Sequence, residues 1–90
     1  MNYNRYASGV NMCRILSMDD KDILEQVSDN IRIARLQKRI SQDKLAELLD
    51  MSVNYVGKLE RGVIVPSAYV IYKLSKILNV NIEIFFSGLN

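Results

Sequence analysis

Ninety residues, 49% of them hydrophobic and 24% charged, supply one small core and leave no room for a second domain or for an effector-binding domain. Twelve Lys/Arg against ten Asp/Glu give a formal charge of +2, so bulk charge neither demands nucleic acid nor excludes it. Histidine is absent and Cys13 is the only cysteine, which removes imidazole acid–base catalysis, Cys/His zinc sites and any intrachain disulfide, so no cofactor, no metal ion and no enzymatic activity are expected.

Residues 1–18 mix Asn, Ser and Gly with scattered apolar residues and no sustained period, and read as an arm or disordered leader ahead of a folded unit at 19–90. Met12 and Met18 offer later translation starts. The leader lacks a secretory signal pattern and no run reaches the ~18 apolar residues of a membrane span, so the expectation is a soluble protein of a reducing cytoplasm. Asp19, Asp20 and Asp22 then precede Ile23, Leu24, Val27, Ile31 and Ala34, an apolar face at helical spacing with acidic residues at the favourable end of the dipole. This first helix should end near Lys38 and Arg39. Ser41 offers a cap for a two-turn helix from Gln42 to Leu49, built on Leu45, Ala46, Leu48 and Leu49. Ser52 opens the next, Val53 to Glu60, which Arg61 and Gly62 close. Val63, Ile64 and Val65 are β-branched but have no pairing segment, and read as an extended loop before Pro66 and Ser67. A fourth helix starts at Ala68 with Ile71, Leu74, Ser75 and Leu78 on one face, and a short fifth, capped by Asn81, carries Ile82, Phe85 and Phe86. With no credible strand, the fold class is all-α, a helical bundle.

The second and third helices, joined by a three- or four-residue turn, have the helix-turn-helix arrangement, and the third has polar and basic residues beside its apolar ones. Charge distribution agrees: residues 31–62 hold seven Lys/Arg and four Asp/Glu, against three and five in residues 1–30 and two and one in residues 63–90. Spacing and charge leave DNA binding and plain packing both open.

The residue pattern goes further. Ile31-Arg32 and Arg35 in the first helix, Ser41-Gln42 with Leu45-Ala46 in the second, Leu59-Glu60-Arg61-Gly62 with Pro66, and Leu78, Val80, Ile82 and Phe86 at the end resemble the phage repressor and Cro type of helix-turn-helix domain, the XRE family, over about 60% of the chain. The resemblance implies a compact five-helix bundle of the lambda-repressor-like DNA-binding type. It also implies a dimeric regulator of transcription, most simply a repressor, that sets its third helix in the major groove of operator DNA.

Carried over position by position, the base-contacting residues are Val53, Asn54 and Lys58, and Gln42 matches a residue that contacts phosphate. Asn54 suits two-point pairing with adenine, worth ~1–3 kcal/mol of discrimination, or is simply a solvated or capping residue. Val53 offers a thymine methyl an apolar contact or staples the helix start. Lys58 shares the face of Asn54 and reaches a guanine or a phosphate. Tyr55 either bonds a phosphate or covers the turn. Ser41, Gln42 and Ser52 stand at helix starts, where free N–H groups and the dipole stabilise a phosphate oxygen. Arg61 faces the DNA backbone. Arg35 and Glu60 match a partly buried ion pair tying the first helix to the third.

Two positions depart from the pattern. Asp50 stands where glycine is usual in the turn, and Gly57 lies inside the recognition helix, where glycine costs ~0.5–1 kcal/mol relative to alanine; it either lets DNA approach or merely weakens the helix. A homodimer is expected because one short helix reads few base pairs. Ile84, Phe86 and Leu89 with Tyr69 and Tyr72 are its contact candidates, Ile82 and Phe85 rather closing the core. In the leader, Arg5 and Arg14 offer DNA contacts and Tyr3 and Tyr6 partner contacts. The competing reading is an antitoxin-like interaction module of the same fold that acts through a partner protein.

Overall fold

The computed structural model describes residues 19–89, and every regular element in that part is a helix: α1 Asp20–Gln37, α2 Gln42–Leu49, α3 Val53–Glu60, α4 Ala68–Leu78 and one short 3₁₀ helix, Ile82–Phe86. The expected bundle is thus present, with the fifth helix reduced to 3₁₀ geometry. The leader and its candidates Tyr3, Arg5, Tyr6, Cys13 and Arg14 lie outside the described residues.

Local chemistry sets each boundary. Ser41, Ser52 and Ser67 are extended, and their hydroxyls accept the N–H of Lys44, Tyr55 and Val70 at 3.0, 3.0 and 3.1 Å, each satisfying one donor that the first helical turn leaves without a partner. Asn81 does the same for Glu83 at 2.9 Å. The chain leaves α2 through Asp50 at φ +60° and α4 through Asn79 at φ +54°, and Arg39, two residues past α1, also lies at φ +60°. Asp50, standing where glycine is usual, therefore takes the left-handed conformation itself; aspartate and asparagine tolerate that region better than most residues.

The core is one cluster. Val27, Ile31 and Ala34 of α1, Leu45, Ala46 and Leu49 of α2, Val56 and Leu59 of α3, Val70, Ile71, Leu74 and Leu78 of α4, and Phe85 of the 3₁₀ helix are all buried. Three expectations need correction. Leu48 stands on the outer face of α2, exposed by the 100° turn that buries Leu45 and Leu49. Ile23 and Leu24 are only half-buried, and Ile82 is 38% exposed, so Phe85 alone plugs the bundle from the 3₁₀ helix.

The last turn is tied to the first helix. Asn30 donates from one amide nitrogen to the carbonyls of Phe85 at 3.0 Å and Ser87 at 2.9 Å, and its own carbonyl oxygen accepts from Gln26 at 3.2 Å. Beside this seam, Ile23, Leu24, Val27, Val65, Ile82 and Phe86 line an open apolar groove of about 550 Å³. No described helix is long and apolar enough to cross a membrane.

Candidate nucleic-acid interface

The turn between α2 and α3 is three residues, Asp50, Met51 and Ser52, so the two helices pack directly on each other. Val56 and Leu59 face the core while Val53 and Asn54 are exposed and Lys58 is partly so; Arg61 follows as the C-cap, exposed. Asn54, Lys58 and Arg61 recur at i, i+4 and i+7, which sets one amide and two cations along a single outer stripe. Val53, 44% exposed, adds an apolar surface at the head of that stripe. Among the described residues neither Lys58 nor Arg61 has a carboxylate within ion-pair distance, whereas Lys44 is joined to Glu47 at 3.4 Å.

Helix starts contribute a second source of positive potential. The N–H groups of Gln42 and Asp43 precede the first bond of α2, Leu45 N–H to Ser41 carbonyl at 3.0 Å, and those of Val53 and Asn54 precede the corresponding bond of α3, Val56 to Ser52 at 3.2 Å. Such donors lack an intrahelical acceptor and sit at the positive end of a dipole, which suits a phosphate oxygen. Ser41 and Ser52 already use their hydroxyls as caps, so the backbone is what each helix start offers an anion.

A buried ion pair fixes how these parts sit. Arg35 donates from Nε to one oxygen of Glu60 at 2.6 Å and from Nη2 to the other at 2.9 Å, in two-pronged geometry, and from Nη1 to the Ile40 carbonyl at 2.8 Å. Both residues are nearly inaccessible, at 7% and 5% exposure. The bond to Glu60, reinforced by its charge, pushes the Arg35 pKa above its ordinary value despite the opposing effect of burial, so the guanidinium is charged throughout the working range. Gln42 joins the pair, donating from Nε2 to Glu60 at 3.1 Å. One carboxylate therefore links α1, the start of α2 and the end of α3.

Tyr55 lies half-buried against the core, and burial raises its phenol pKa. Sequence reasoning missed three features. The link from Gln42 to Glu60 spans 18 residues and has no local signal. Lys73 of α4 donates to the Leu49 carbonyl at 2.9 Å, closing the last turn of α2. Gly57 is buried although it lies on α3's outer half, because Arg61 folds back over it; the i, i+4 spacing of the two was legible.

The chain matches the family model described as helix-turn-helix over residues 31–85. No curated protein matches it. Among solved structures it is similar to the restriction-modification controller protein C.AhdI from Aeromonas hydrophila, with 33% identity and a TM-score of 0.66 over 70% of this chain and 96% of that one. It is also similar to the "hypothetical transcription factor NHTF" from Neisseria, with 26% identity and a TM-score of 0.68 over 77% and 79% of the two chains. Helix pair, ion pair and family match agree, and the chain belongs to the helix-turn-helix family of non-enzymatic DNA-binding regulators of the phage repressor and Cro (XRE) type.

Proposed function

We propose that this chain is a sequence-specific transcriptional repressor of the cytoplasm whose residues 19–90 bind a palindromic operator as a homodimer. The observation that carries the reading is the outer stripe of α3, with Val53, Asn54, Lys58 and Arg61 presented to solvent and the two cations free of carboxylates among the described residues. In this reading α3 enters the major groove, where Asn54 pairs with adenine and Val53 meets a thymine methyl. Lys58 and Arg61 hold flanking phosphates, as do the backbone donors at the starts of α2 and α3, near Ser41, Gln42, Ser52 and Tyr55. Likeness to a restriction-modification controller protein and to a transcription factor supports control of transcription as the role.

Dimerisation follows from reach. An eight-residue recognition helix spans only a few base pairs, and a twin related by two-fold symmetry doubles the contacts. Exposed Val65, Tyr69, Tyr72, Ile82 and Phe86, on and beside the apolar groove, supply the surface for it.

Selection of bound duplexes from a random pool, run at two salt concentrations, tests the reading. Enrichment of a palindrome with half-sites ~10 bp apart is the expected result. Weak binding without enrichment, lost at the higher salt, would leave only the phosphate term and transfer the role to the antitoxin-like module that acts on a partner protein.

A further inference from the structure

Glycine is among the least favourable residues for a helix interior, yet Gly57 occupies the middle of the eight-residue α3. Its surroundings give the reason. A Cβ at this position would lie 3.0 Å from Nη1 and 3.9 Å from Cζ of Arg61, and apart from the helix's own backbone and the adjoining residues nothing else comes within 4 Å. The space a side chain would fill is thus taken by one guanidinium and by nothing of the core.

Arg61 had another place to go. Its residue helps line a recess with Glu25 and Asp29, two carboxylates that would attract a cation, and with Glu60, already taken by Arg35, but its guanidinium pairs with no carboxylate among the described residues and lies instead a full turn back along α3. Folded that way, the charge stands on the outer half of the helix, near the turn that carries Asn54 and Lys58.

We propose that Gly57 is a positioning residue: its missing side chain seats the Arg61 guanidinium across the outer face of α3, and the seated guanidinium holds a DNA phosphate. The inference rests on the operator-binding reading above and adds to it the residue that aims the contact. With a methyl group at 57, the end of this flexible side chain has to shift out of the seat it now occupies.

The test compares the wild-type full chain with Gly57→Ala, Arg61→Ala and the double variant, each titrated against the selected operator over a salt series, with thermal unfolding of each. Gly57→Ala should unfold at the same temperature as the wild type or higher, since alanine favours the helix, and still bind the operator roughly three- to tenfold more weakly. Arg61→Ala should weaken binding roughly tenfold, lower the log–log salt slope by about 0.9, and leave the base preference of the operator unchanged. The double variant should bind no more weakly than Arg61→Ala. Wild-type affinity in Gly57→Ala, losses that multiply in the double variant, or an Arg61→Ala protein that relaxes preference at one base pair would each overturn the proposal while operator binding stands. A wild-type chain that selects no operator would overturn both.

Discussion

Arg35 satisfies several demands with one planar group. Its fork meets both oxygens of Glu60 while its remaining terminal nitrogen serves the Ile40 carbonyl, so the charge is buried with each of its three nitrogens hydrogen-bonded. Removing Glu60 leaves that charge with only a neutral acceptor. Glu60→Ala should therefore lower the unfolding free energy by about 3–5 kcal/mol, read as a drop in the urea midpoint, while replacing both partners by apolar residues of similar volume should recover most of the loss. Tyr55 gives a pH dependence of definite sign. Burial raises its pKa in the folded state, so the folded state favours the neutral phenol; this contribution is fully present below the ordinary tyrosine pKa of about 10 and is lost as pH rises through the folded value. Urea midpoints measured from pH 8 to above pH 10 should fall in the alkaline limb, and less steeply in Tyr55→Phe.

Short helices depend on their ends. α3 has only eight residues, and Ser52 satisfies its Tyr55 N–H at 3.0 Å. Ser52→Ala should cost about 1 kcal/mol of stability by thermal or urea unfolding, with faster hydrogen exchange confined first to the opening turn of α3. That turn is also where Val53 and Asn54 stand, so operator affinity should fall with it. The elements themselves were legible because their signals are local: Ser41 and Ser52 announce α2 and α3, Asp50 and Gly62 announce their ends, and the 3.6-residue period of Ile71, Leu74, Ser75 and Leu78 assigns the inner face of α4. The outer stripe of α3 was legible for the same reason. What the sequence concealed depends on residues far apart in the chain. Leu48 and Ile82 fit an apolar pattern, but whether a partner covers them is decided by how α2 and the 3₁₀ helix dock. Likewise, the engagement of Gln42 by Glu60 exists only once the two short helices have been brought together.

For the molecule as a whole, the outer stripe of α3 and the apolar groove are separate surfaces. The groove draws on α1, the loop after α3, α4 and the 3₁₀ helix, and includes no residue of the α3 stripe. A pair of chains joined along Val65, Tyr69, Ile82 and Phe86 would leave both recognition helices free. Ile82→Glu with Phe86→Glu should convert a sedimenting dimer into a monomer and greatly weaken operator binding, with little change in the unfolding of the monomer because both side chains are already exposed. The tie between Asn30 and the carbonyls of Phe85 and Ser87 has a consequence in time rather than in space. It joins residues 55 and 57 positions apart, so during synthesis α1 leaves the ribosome long before the segment that completes its packing exists. Until Phe85 has been made, the bundle lacks its plug, and α2 and α3 are held only by contacts within residues 20–78. A chain still being translated thus completes the packing of α1 only after residues 82–86 have been made.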